Sequence, residues 1–118
     1  MSKAKIKVTV GGAMEKEAGR RFVDAWHRAE RGEKFRERHL TFESWDTLVR
    51  VLTGKRMELL RYVRHHDVSS VRALAKALKR DYSNVHADVQ SLAEAGLLDL
   101  VNGGLRADYD AIETRIAI

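Results

Sequence analysis

Between Ser83 and Gln90 the chain carries Ser83, Asn84, His86, Ala87 and Gln90, side chains whose chemistry suits the edges of base pairs. Asn and Gln amides match adenine in a bidentate fashion, a Ser hydroxyl bonds either kind of base edge, and an alanine methyl touches the methyl of thymine. Val85, Val89 and Leu92 are interleaved with them at i, i+4 and i+7. On a helix these three share one face and turn the five candidates, with Ser91, to the other. Ser83 and Asn84 serve equally in capping such a helix, and His86 is equally a solvated surface histidine. Arg72, Lys76, Lys79, Arg80 and Arg106 are the types that meet phosphate, fixing position on a duplex without reading its sequence. Lys55 and Arg56 stand behind them, and each of these cations also suits an ordinary surface.

The charge distribution points to the same stretch. The 118 residues carry a net +5. Residues 1–53 hold 12 Lys/Arg against 8 Asp/Glu, residues 54–80 hold 8 against 2, and residues 81–118 hold 2 against 7. A basic middle favours a polyanionic partner, although solvated helix faces produce the same excess. Two acids stand in the way: Asp81 and Asp88 lie on or beside the candidate helix, where a carboxylate facing phosphate is unfavourable. Asp81 has the option of capping. Asp88 has the options of pairing with Arg80 or Arg72, or of accepting from a cytosine amino group.

Other chemistries find no support. His65-His66-Asp67 are consecutive, and neighbours on a helix point in different directions, so they make a poor chelate; no metal site is expected. Cysteine is absent, which removes disulfides and cysteine-ligated zinc. Gly11-Gly12 and Gly103-Gly104 lack the spacing and the Lys-Ser/Thr of a phosphate loop. No nucleophile–base or paired-carboxylate spacing stands out, so neither an enzyme nor a cofactor is expected. No apolar run approaches the roughly 18 residues of a membrane span. Lys3, Lys5 and Lys7 have no apolar block after them, so a secretory signal is not expected either, and a cytoplasmic location is.

The elements that must position these residues follow from periodicity. Polar Lys5, Lys7 and Thr9 alternate with Ala4, Ile6, Val8 and Val10, the period of a half-buried strand ended by Gly11-Gly12. Residues 13–31 read as a helix with Ala18, Phe22, Ala25, Trp26 and Ala29 on one stripe, and residues 38–43 as a second strand that can pair with the first. Ser44 caps a short helix with Trp45, Leu48, Val49 and Leu52 on one face, which Gly54 breaks. Residues 55–66 form the next helix, with Met57, Leu60 and Val63 inward. After the turn at Asp67–Ser70, Val71, Leu74, Ala75 and Leu78 mark another. Lys79-Arg80-Asp81 connects it to the helix of the base-edge candidates, which Asp81 or Ser83 caps and Gly96 stops. Leu97 to Val101, the turn Asn102-Gly103-Gly104, and Leu105 to Tyr109 make a hairpin. Ile112, Thr114, Ile116 and Ile118 alternate along a last strand.

Helix, helix, short turn, helix, glycine, hairpin is the order of a helix-turn-helix with a wing, in which the third helix enters the major groove with its N-terminal residues on the bases. The segments Val71–Leu78, Ser83–Leu92 and Ala95-Gly96-Leu97-Leu98 resemble the winged helix-turn-helix superfamily of prokaryotic transcription regulators, its MarR-like branch in particular. The whole chain is similar to a group of small regulators, often encoded beside toxin genes and read as antitoxins. The resemblance implies an autorepressing antitoxin with a toxin protein as partner.

The expected fold is α+β, mainly α: a winged helix-turn-helix over 54–110, a strand–helix–strand extension over 1–53 serving dimerisation, and a C-terminal strand over 111–118 packed on that extension. The expected function is sequence-specific binding of double-stranded DNA by a homodimer that regulates transcription. The homodimer would be stabilised by the terminal strands and the Phe22/Trp26 helix. The alternative is a winged-helix protein-interaction module that does not read DNA.

Overall fold

The computed structural model describes residues 4–11 and 37–118, a mixed α+β chain that divides into two units. The first combines residues 1–48 with residues 109–118, and the second spans residues 49–108. The sequence pattern places the divisions at 53 and 110; this division falls at 48 and 108. The predicted helix over 13–31, with Phe22 and Trp26, lies outside the described residues.

The first unit is built on a three-stranded sheet ordered β2-β1-β5, from β1 (Lys5–Val10), β2 (Glu37–Phe42) and β5 (Ala111–Ile116). Both neighbours run parallel to β1: Lys5 stands beside Glu37 on one side and Ala111 on the other. The C-terminal strand thus pairs with the N-terminal one within a single chain. Register sorts the faces. Ile6, Val8 and Val10 lie level with Leu40, Phe42, Ile112 and Ile116, while Lys5, Lys7 and Thr9 share the other face with Glu37, His39 and Glu113. Ile6 and Val8 are almost fully buried, as a central strand requires. On the charged face, Lys5 reaches Glu113 at 3.3 Å and Lys7 reaches Glu37 at 3.7 Å.

A short helix, α1 (Trp45–Val51), begins where the Ser44 hydroxyl accepts from the Thr47 N–H at 3.3 Å. Only Leu48 of its expected apolar face is buried; Trp45 and Val49 are exposed. Gly54 does not break it. The helix has ended at Val51, and Gly54 opens α2 (Gly54–His65), whose first turn is capped by the Thr53 hydroxyl. Gly54 can stand at a first helical position because the propensity cost of glycine applies to helix interiors.

The second unit packs α2, α3 (Val71–Leu78), α4 (Tyr82–Glu94) and a hairpin of β3 (Asp99–Val101) and β4 (Gly104–Arg106). Its core is Leu59, Leu60 and Val63 from α2, Leu74 and Ala75 from α3, Val85, Val89 and Leu92 from α4, and Leu97, Leu98 and Leu105 around the hairpin. Met57 is only half-buried; Leu59 replaces it inside. The hairpin strands are shorter than their sequence pattern, because Leu97, Leu98, Ala107 and Tyr109 are buried without entering the ladder.

Candidate nucleic-acid interface

The connection between α3 and α4 is short because its carbonyls are satisfied by a tight reversal. Lys79 adopts φ +55°, its N–H donates to Lys76 O at 3.2 Å, and the Arg80 N–H donates back to Ala75 O at 3.0 Å. This is the paired-bond ending that glycine usually occupies. Here a lysine takes the left-handed conformation, at a cost of about 1 kcal/mol or more. Asp81 then caps α4. Its carboxylate accepts from the Ser83 N–H at 3.1 Å, the Asn84 N–H at 3.3 Å and the Ser83 hydroxyl. These donors, the Ser83 hydroxyl first, hold the fully exposed Asp81 carboxyl below its ordinary range. Asp81 is therefore the cap, and the hydroxyl of the exposed Ser83 donates its proton to it.

Asn84, His86, Ala87 and Gln90 are all exposed on α4, opposite the buried Val85, Val89 and Leu92. Arg72, Lys76 and Lys79 are exposed on and just after α3. Arg80 is not in their company. Its Nη2 donates to Asp88 Oδ2 at 2.7 Å, its side chain is only 19% exposed, and its Nη1 is buried without a hydrogen-bond partner among the described residues. A guanidinium so placed braces the helix from inside and is removed from a phosphate-facing surface.

Asp88 has two partners, and the second is Arg56, whose Nε donates to Oδ1 at 3.0 Å; Arg72 plays no part in the pair. Arg56 also sends its Nη1 to the carbonyls of Arg50 at 3.0 Å and Val51 at 3.1 Å, capping the end of α1. One side chain thus ties the end of α1 and the start of α2 to the middle of α4. Burial pushes the Asp88 carboxyl up, and the two guanidiniums, Arg80 foremost, outweigh it and hold the group below the usual carboxylate range.

Tyr82 opens α4, 41% exposed, with the Arg72 guanidinium 4.8 Å above its ring and the His86 ring 5.8 Å away. Cation–π contact of this kind orders an otherwise mobile arginine. Neither Tyr82 nor the bracing role of Arg56 was read from the sequence. The i, i+4 spacing of Tyr82 and His86 was the available signal for the first, and nothing local marks the second, since its partner is 32 residues away.

The hairpin turns through Asn102 (φ +50°) and Gly103 (φ +79°), the two left-handed residues of a tight two-residue turn. Leu105 bridges Val68, its N–H donating to Val68 O at 2.9 Å. A Cβ on Gly104 would lie 2.9 Å from that same carbonyl, so only glycine lets the hairpin lie this close to the segment before α3. Arg106 is exposed on β4 and pairs with Asp108 at 3.3 Å. Of the consecutive histidines, His66 stacks flat on Tyr62 with ring centroids 3.9 Å apart.

The profile of the HVO_A0114 family matches residues 51–114, more than half of the chain, from the end of α1 through the three longer helices and the hairpin into β5. No curated protein and no solved structure matches the chain. Among the described residues no helix is long and apolar enough to cross a membrane.

Proposed function

The chain belongs to the HVO_A0114 family, and we propose that it binds double-stranded DNA through a winged helix-turn-helix made of α2, α3, α4 and the β3–β4 hairpin, as a sequence-reading transcriptional regulator. The α3–α4 pair is the helix-turn-helix, α4 lies in the major groove, and the hairpin runs beside the backbone. Asn84, His86, Ala87 and Gln90 read base edges, with the Ser83 lone pairs available as acceptors. Arg72, Lys76, Lys79 and Arg106 meet phosphates.

The observation that carries this reading is the fate of Asp88. The acid in the middle of α4 is turned from the exposed face and neutralised by two arginines, so the face that remains is polar and carries no carboxylate between Ser83 and Gln90. The Val68–Leu105 bridge supports it further, because it fixes the hairpin against the segment that leads into α3.

The test is a titration of the protein against the DNA upstream of its own gene and against random duplex, each at two salt concentrations. Neutralising several phosphates makes the affinity fall steeply with salt. Asn84→Ala/His86→Ala is expected to weaken binding to the upstream DNA alone, and Lys76→Ala/Lys79→Ala to weaken both. Absence of binding to either duplex at low salt rejects the proposal. A second reading, a protein-interaction module, draws on exposed Leu100 and Val101 of β3, two apolar side chains facing water on the hairpin. Absence of duplex binding, together with capture of a stoichiometric protein partner that Leu100→Ser/Val101→Ser abolishes, would favour it.

A further inference from the structure

We propose that the outward edge of β5 is a homodimer interface, in which two copies of this chain pair β5 with β5 antiparallel about a two-fold axis at Thr114. Two three-stranded sheets would then become one sheet of six strands. The proposal rests on the sheet alone and does not require DNA binding.

β5 is the last strand of the order β2-β1-β5. Ala117 N donates to Val10 O at 3.2 Å, whereas Gly11 N donates the other way, to Phe42 O at 3.1 Å. Residues of a parallel ladder alternate between their two neighbours. The backbone groups of Glu113, Arg115 and Ala117 therefore face β1, and those of Ile112, Thr114 and Ile116 face away. Along this outward edge there is no pairing strand among the described residues, and residues 113–116 are exposed. Natural edges are usually blunted by proline, charged side chains (lysine above all), a bulge, very short length or a covering helix or loop; the charges of β5, Glu113 and Arg115, are of opposite sign. β5 has six residues, none of them proline, lysine or glycine.

The side chains set the register of the pairing. A two-fold axis perpendicular to a sheet keeps every side chain on its own face, so the centre of pairing must fall on a residue. A centre at Glu113 sets Glu113 against itself, and a centre at Arg115 sets Arg115 against itself. A centre at Thr114 sets Glu113 opposite Arg115 of the partner subunit, Ile112 opposite Ile116 of the partner subunit, and Thr114 opposite its own copy. Opposite charges, paired β-branched residues and paired threonines are all favourable cross-strand neighbours, and like charges are not. The same centre places the outward groups of Ile112, Thr114 and Ile116 in hydrogen-bonded pairs. Glu113 lies beside Lys5 of its own chain at 3.3 Å and would stand between two cations. Ile116, 45% exposed in one chain, would gain an apolar neighbour.

Sedimentation without DNA, at tens of micromolar, is expected to give a dimer. Thr114→Pro is expected to give a monomer with an unchanged circular dichroism spectrum and melting profile. The proline removes only the outward N–H, and prolines are tolerated on edge strands with that side open. Glu113→Arg and Arg115→Glu should each weaken the dimer by about tenfold or more, and the double exchange Glu113→Arg/Arg115→Glu should recover most of it. Because the chain has no cysteine, Thr114→Cys should oxidise to a covalent dimer, its Cα atoms roughly 5.5 Å apart in a hydrogen-bonded pair. A monomeric wild type, or a dimer indifferent to Thr114→Pro, overturns the interface. Covalent dimers from Glu113→Cys or Arg115→Cys alone, with none from Thr114→Cys, overturn the register.

Discussion

Replacing Asp88 by asparagine should destabilise the second unit while leaving its shape intact. The substitution keeps the volume and one acceptor oxygen but removes the charge between Arg56 and Arg80. The three side chains are 15–19% exposed, so most of the pairing is sheltered from water. Two charge-assisted hydrogen bonds at 2.7 and 3.0 Å are weakened together. Each is worth about 1.5–3 kcal/mol, and removal of one partner of a fully buried pair costs about 3–5 kcal/mol. Partial exposure lets the arginines recover some hydration, which brings the expected loss to about 3 kcal/mol at neutral pH. The pH dependence has a definite sign. A carboxyl held below its unfolded value contributes stability that is complete above that value, about 3.9, and that fades as pH falls through the folded value. Urea unfolding of both proteins across a pH series should therefore show a gap at neutral pH that closes below about pH 4. The reasoning fails if the gap at neutral pH is under about 0.5 kcal/mol, or if it stays constant into acid.

Lys79→Gly should raise stability by about 1 kcal/mol in chemical denaturation, because it relieves a left-handed lysine, and should lower affinity for any duplex while flattening its salt dependence by about one phosphate. Gly104→Val should cost about 2 kcal/mol or more in thermal unfolding, since its Cβ would meet the Val68 carbonyl at 2.9 Å. Tyr82→Leu should leave the melting temperature nearly unchanged and weaken duplex binding a few-fold, because Arg72 loses the ring that holds it at 4.8 Å; an unaltered affinity would assign Tyr82 no part in the interface.

The helices of the second unit were legible because each carries an apolar stripe and a capping residue in the same few positions. Ser70 caps α3 through the Ala73 N–H at 3.0 Å, and Gly96 at φ +85° follows α4, as their types suggest. The strands were legible as alternation, and the turn as Asn-Gly. What escaped was long-range pairing. Arg80 had the composition of a phosphate ligand, and only the fold shows it turned inward to Asp88. Arg56 lay among surface cations for the same reason. The basic excess over 54–80 thus overstates the exposed charge, because two of its arginines neutralise an acid that lies outside the window. At Gly54, a single residue type stood for either a helix end or a helix start, and the Thr53 cap decided it.

The two proposals fall on different parts of the chain, and this separation follows from topology. Parallel strands of one sheet need a long crossover, and the segment between β2 and β5, which flank β1, is such a crossover enlarged into a unit with its own core. The family match covers most of that segment and runs past it: it begins at residue 51, after β1 and β2, and ends at residue 114 inside β5. The residues proposed to read DNA all lie inside the matched span. The pairing proposed at the sheet edge straddles the end of that span: Ile112, Glu113 and Thr114 lie inside it, Arg115 and Ile116 just beyond. Variants at Thr114 and variants at Asn84 or Lys76 therefore test the two proposals separately. If both proposals hold, the two effects meet in one observable. A dimer joined about a two-fold axis presents two copies of α4, and its preferred site is an inverted repeat. Thr114→Pro should then lower affinity for the full repeat to that for a half-site while leaving half-site binding unchanged. Equal loss on both would mean that the edge strand acts on the reader by some route other than pairing.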